Sequence, residues 1–222
     1  MKITTMTKTL LASSIIALCS FHAMAKEVPP AGGAPKDFSL PATETITLDN
    51  GLKVTFIPYG TTPKATLQLR TNTGNIDDGE HVWLADISYE MLRQGTKTKT
   101  AKELAETVAS MGGSIDSSVG MDSSYLGMSV LSEFADEAVN VIADLALNAN
   151  FAESDLERIK NDSQRRLSVS KSNPSSIATE AFYKSIYGNH PYGKLYPTSE
   201  SVGAISAQDT VSFVSTNLVP NR

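Results

Sequence analysis

The 222-residue chain holds one cysteine, three histidines and one tryptophan. Cys19 lies within the first 25 residues, so the rest of the chain has no thiol for a disulfide, for nucleophilic catalysis or for a metal site. The histidines are His22, His81 and His190. No two share a helical turn, which excludes the local histidine pair on which many metal sites are built. No apolar run of about 18 residues occurs after residue 25, so no membrane span is expected there. No basic cluster occurs either, and acids outnumber bases 24 to 19. Nucleic-acid binding is therefore not expected. Ser123 and Ser124 stand in no G-x-S-x-G elbow. Gly112-Gly113 reads as a helix stop, and the Lys/Thr run from Lys97 to Lys102 reads as a solvated loop and cap.

The first 25 residues are of another kind. Lys2 and Lys8 precede an apolar stretch from Leu10 to Leu18, and Ala23-Met24-Ala25 offers small residues for cleavage. That is the layout of a secretory signal peptide. An uncleaved anchor fits less well because the apolar stretch is short for a span. Lipid attachment at Cys19 fits less well because Leu18 is bulky. Of the 19 basic residues, loss of Lys2 and Lys8 leaves 17 against 24 acids, a mature charge of −7. Secretion without disulfides points to a bacterial periplasm. Residues 26–43 are rich in Pro and Gly and read as a flexible leader.

From residue 44 onward the pattern is regular. Thr45 to Leu48 and Lys53 to Ile57 are β-prone runs joined by Asp49-Asn50-Gly51, a hairpin signal. Ala65 to Thr71 alternates apolar and polar residues as a third strand. Val82 to Gln94 has helical spacing and stops at Gly95. Thr100 with Glu103 forms a capping box for a second helix. Ser114 to Val119 and Tyr125 to Val130 suggest another hairpin, and Phe134 to Ala149 a third helix. Ser154 with Glu157 reads as a capping box for a polar helix reaching Lys171. Pro174 suits the first turn of a helix to Tyr187. His190-Pro191-Tyr192-Gly193 is a loop, and Ser206 with Asp209 opens a last helix. This order predicts an α+β fold, an antiparallel-rich sheet with helices packed on one face.

Several segments together resemble the insulinase/pitrilysin-type metallopeptidases, the inverzincins that include the mitochondrial processing peptidases. Their zinc helix reads roughly G-L-A-H-L-L-E-H-M-L-F-K-G-T, around an H-x-x-E-H motif. This chain has W-L-A-D-I-S-Y-E-M-L-R-Q-G-T from Trp83 to Thr96. Phe151 to Lys160 is similar to the start of the family's third-ligand helix. Gly188 to Gly193 is similar to its G-x-H-P-Y-G loop, and Thr45 to Ile57 to its opening hairpin. The resemblance covers residues 44–222 and implies the family's N-terminal domain. It also implies that the domain is truncated, because the family pattern runs on past Arg222 and the sheet would be incomplete at that end.

In active relatives two His and one Glu hold zinc, and a second Glu takes a proton from the metal-bound water. Carried over by residue, the first His falls on Asp86, the base on Tyr89, the second His on Glu90 and the third ligand on or beside Arg166. A phenol is a poor base at neutral pH, and a guanidinium has no lone pair for a metal. The resemblance thus implies a degenerate zinc motif, with no catalytic residue, no bound metal and no cofactor. Asp86 and Glu90 could together hold a hard cation only with further oxygens. An ion pair of Arg166 with these two carboxylates is the simpler expectation. His81 is expected at the surface and His190 in a turn.

The family works as paired halves enclosing a chamber, and some members pair a zinc-bearing chain with one lacking the motif. The expected role is the non-catalytic partner of a zinc-motif peptidase subunit, binding or enclosing peptide substrates. The alternatives are an active metal-dependent endopeptidase with a rebuilt or partner-supplied site, and a truncated remnant.

Overall fold

A computed structural model describes residues 32–33, 37 and 39–222. The expected signal peptide, residues 1–25, lies outside the described residues, as does most of the expected leader. All the described secondary structure belongs to one compact unit, Pro41–Arg222.

That unit opens with strands β1 (Glu44–Thr47) and β2 (Lys53–Phe56), an antiparallel pair in a two-stranded sheet of its own. Gly51 supplies the positive φ of 89° that the turn demands. Thr45 and Thr55 face each other across the pair, their hydroxyls 3.0 Å apart. Ile46 sits opposite Val54 on the other face, and Ile46 and Phe56 remain exposed.

The main sheet contains β3 (Lys64–Thr71), β4 (Ser114–Val119) and β5 (Ser124–Leu131), all antiparallel, in the order β3-β5-β4. The register pairs Ala65 with Val130, Leu67 with Met128 and Leu69 with Leu126, and sets Ile115 against Met128. One face is therefore apolar, as the period-2 alternation requires. The other carries Thr66, Gln68, Arg70, Asp116 and Ser129. Gly127, at the centre of that polar face, has no room for a side chain, since a Cβ would come within 2.8 Å of the Leu67 carbonyl.

Two helices cover the apolar face: α2 (Ala101–Ser110), through Leu104 and Val108, and α3 (Ala135–Asn148), through Ala138, Val141, Ile142 and Leu145. Full burial of each such Leu, Ile or Met side chain contributes about 2 kcal/mol. A second core cluster joins α1 (Leu84–Leu92), α4 (Glu153–Ser172), α6 (Ser199–Ala204) and α7 (Ala207–Asn217) through Ile87, Met91, Leu156, Ile159, Ile205 and Phe213. Between α4 and α6, α5 (Pro174–Tyr187) has no buried residue. The fold is thus α+β with antiparallel sheets, and the helices lie on one face of the main sheet, as the element order predicts.

Local chemistry explains most of the helix starts. Thr100 and Glu103 form the expected capping box, as do Ser206 and Asp209. The Asn173 side chain accepts the Ser175 and Ser176 amides ahead of Pro174. One expectation needs correction. Ser154 is not a cap: α4 begins at Glu153, its N-cap is Ala152, and no side chain caps it. The approach is fixed from elsewhere, by the Asn150 amide on the Gly95 carbonyl and the Ala152 amide on the Asn150 carbonyl. The short helix α6 is capped by Thr198, which accepts the Ser201 amide.

Candidate functional site

The chemistry-bearing positions cluster at the start of α1, where Trp83 adopts a left-handed conformation, φ 75°. Such a φ is costly for a bulky residue unless its surroundings hold it there. Asp78 does so. One of its carboxylate oxygens accepts the Trp83 amide at 2.8 Å and the other the Ala85 amide at 2.8 Å. Asp78 thereby satisfies amides that the helix start would otherwise leave unpaired. Burial raises its pKa to about 6, against the opposing pull of the bonds from Ala85, Asn75 and Trp83, and the nearby charge of Asp86 raises it further.

Asn75 links Asp78 to Asp86. Its side-chain amide donates to Asp78 at 3.0 Å and to Asp86 at 2.7 Å. Burial pushes the Asp86 carboxyl above the usual carboxylate range, while the Asn75 bond and the charge of Arg166 pull it back. One turn further on, Glu90 meets Arg93 at 3.4 Å and the Gln94 side chain at 3.4 Å. Tyr89 points into the core: 2% exposed, its hydroxyl lies 2.6 Å from that of Thr71 at the end of β3. Burial raises the phenol above its ordinary range, with Thr71 and Ser124 opposing through hydrogen bonds.

Arg166, on the exposed side of α4, donates to the Ser163 hydroxyl at 3.0 Å. Its guanidinium lies 5.8 Å above the centre of the Trp83 ring. That ring donates through Nε1 to the Leu195 carbonyl at 3.2 Å and meets Tyr196 edge-on at 6.1 Å. The expected ion pair of Arg166 with Asp86 and Glu90 is not formed. Each carboxylate already has a partner near its own helix, and the cation lies over the indole instead. The structure thus brings Arg166 within electrostatic reach of Asp86 and separates Asp86 and Glu90 by their partners. Among the described residues, no three of His, Cys, Asp and Glu converge so as to hold a metal ion.

Beside this cluster, α1 packs against β4, which like β3 is an edge strand of the main sheet. The backbone groups along that edge have no partner strand among the described residues and offer a template for an added extended segment.

A family model for insulinase, peptidase family M16, matches residues 54–197. The chain belongs to the insulinase family. Among curated relatives, an uncharacterized zinc protease of Rickettsia felis is 28% identical over 169 residues, covering 75% of this chain and 41% of the relative. The insulinase-family chain therefore spans about two-fifths of the length of that relative. Among solved structures, an inactive M16 peptidase domain from Pseudomonas fluorescens superposes with a TM-score of 0.71 at 24% identity, over 77% of this chain and 42% of that one. The periplasmic protease PqqL of Escherichia coli gives a TM-score of 0.71 at 17% identity, over 81% of this chain and 21% of its own. These likenesses establish the fold as that of an insulinase-type N-terminal domain.

Sequence reasoning placed Asp86, Tyr89, Glu90 and Arg166 but missed their partners. Asn75, Asp78 and Thr71 lie outside the helical motif, and only Asp78, an acid just before a helix, carried a local signal. His190 is a turn residue, accepting the Tyr192 amide through Nδ1. His81 departs from its expected surface position. It sits half-buried in the turn before α1, its Nδ1 enclosed without a hydrogen-bond partner among the described residues.

Proposed function

We propose that this insulinase-family chain is the non-catalytic partner of a zinc metallopeptidase subunit, and that it binds or encloses peptide substrates. The observation that carries this reading is the bond between Tyr89 and Thr71. The position aligned with the general base holds a phenol that is buried, raised in pKa and directed into the core. A group so placed cannot take a proton from a water outside the core.

The family's zinc does not fit the other three positions. Asp86 is engaged by Asn75, Glu90 by Arg93 and Gln94, and Arg166 brings a positive charge with no lone pair. The free edge of β4 beside α1 suits an extended peptide, which adds to a sheet edge by main-chain hydrogen bonds. Exposed apolar residues supply surface for a partner: Ile177, Phe182 and Ile186 on α5, and Ile46 and Phe56 on the first hairpin.

The reading also places the protein outside the cytoplasm, in a bacterial periplasm, on the strength of residues 1–25. Among the described residues no helix is long and apolar enough to cross a membrane, and the PqqL likeness is to a periplasmic protease. The competing reading is an active peptidase with a rebuilt or partner-supplied metal site, and the relative named a zinc protease favours it. Metal analysis of the purified chain separates the two. Absence of stoichiometric zinc supports the partner role. One zinc per chain, with peptidase activity abolished by a chelator, supports the enzyme.

A further inference from the structure

Arg166 is the most informative cation on the molecule. A guanidinium carries five N–H donors, and among the described residues this one makes a single hydrogen bond, to Ser163. Among the described residues Arg166 and Arg70 are the arginines with no carboxylate within 4.0 Å, and of the two only Arg166 lies over an aromatic ring. The contrast with Lys171 is close. Lys171 also lies over an aromatic ring, 5.2 Å from the centre of Tyr196, but both oxygens of Glu180 meet it at 2.6 and 2.7 Å. The two cations flank the Trp83–Tyr196 pair, and only Arg166 keeps its charge unmatched by a contacting acid.

Its platform is rigid. Trp83 is held by its own amide on Asp78, by Nε1 on the Leu195 carbonyl and by the edge of Tyr196. A guanidinium over an aromatic face can still offer N–H donors to a carboxylate. Asp86 is within electrostatic reach, but its Oδ2 is taken by Asn75. The guanidinium is therefore matched to a carboxylate from outside the chain.

We propose that Arg166, seated over Trp83, recognises a carboxylate of a bound peptide at the exposed surface of α4. This rests on the peptide-binding role proposed above and narrows its substrate class to peptides that present a carboxylate there. The source is a C-terminal carboxylate or an acidic side chain.

Trp83 is the chain's only tryptophan, so its fluorescence reports directly on the cation above it. The test titrates the full chain with three versions of one extended, uncharged peptide: a free C-terminus, an amidated C-terminus, and an amidated form with one internal Glu. Arg166→Gln and Arg166→Lys are run in parallel. The expected result is saturable perturbation of Trp83 with about tenfold tighter binding of a carboxylate-bearing peptide than of the amide. Arg166→Gln abolishes that difference, and Arg166→Lys keeps part of it. Preference for the free C-terminus alone identifies a terminal carboxylate; equal binding of the Glu peptide identifies a side chain as sufficient. Equal affinity for acid and amide, or discrimination that survives Arg166→Gln, overturns the proposal while leaving peptide binding intact. If no peptide binds, the peptide-binding role fails, and sodium acetate decides the carboxylate site alone. A saturable acetate effect on Trp83 that Arg166→Gln removes sustains it, and no such effect overturns it.

Discussion

The Tyr89 hydroxyl lies 2.6 Å from the Thr71 hydroxyl, buried where α1 meets the end of β3. Removing one partner strands the other in the core, which costs about 1–3 kcal/mol. Tyr89→Phe should therefore lower the urea midpoint, and Tyr89→Phe with Thr71→Val should recover part of the loss. Tyr89→Glu, which writes the family's base into this position, should cost more than Tyr89→Phe, because it places a carboxylate in a pocket shaped for a phenol. Urea denaturation of the three variants beside the wild type checks the order.

Arg166→Ala should change stability by less than about 1 kcal/mol, since the side chain is exposed and holds no ion pair. A loss of several kcal/mol in denaturant melts would restore the cross-cleft ion pair that the structure lacks.

Asp78 makes stability depend on pH. Its folded-state pKa is raised from 3.8 to about 6, so the folded state binds the proton more tightly than the unfolded chain. The stability this supplies is fully present below about pH 4 and is lost as pH rises through about 6; the difference is about 3 kcal/mol. Asp78→Asn should flatten the wild-type decline between pH 4 and 6.5. It should also cost stability at every pH, because an amide has only one oxygen for the Trp83 and Ala85 amides. Thermal melts across that range, compared between the two proteins, give the test.

The two serine and threonine caps should separate cleanly. Thr100→Ala should cost about 1 kcal/mol, since Thr100 accepts the Glu103 amide and Glu103 returns the bond. Ser154→Ala should be nearly neutral, because Ser154 lies inside the first turn of α4 and caps nothing. Paired denaturation curves measure both.

These caps also show what was legible in the sequence. Thr100-Glu103 and Ser206-Asp209 could be read because both halves of each box lie within four residues, with nothing distant competing. Ser154-Glu157 has the same local form, but the chain reaches α4 already tied at Asn150 to Gly95, so the helix starts two residues early. The sheet could be read for a similar local reason: Ala65, Leu67 and Leu69 alternate cleanly, as do their partners on β5. The site was legible only along one helix. Spacing put Asp86 and Glu90 on one face of α1, but what each carboxylate does is decided by partners that periodicity does not encode. Asp86 binds Asn75, eleven residues back, and the Arg166 cation rests on Trp83 rather than on an acid.

The most direct test of the partner role is peptidase activity of the purified chain, alone and mixed with a zinc-motif relative from the same cell. The account predicts no hydrolysis by the chain alone, before or after added zinc, and increased hydrolysis by the relative when the two are mixed. Chelator-sensitive hydrolysis by the chain alone would contradict it, and would mean that a metal site exists away from Asp86, Tyr89, Glu90 and Arg166.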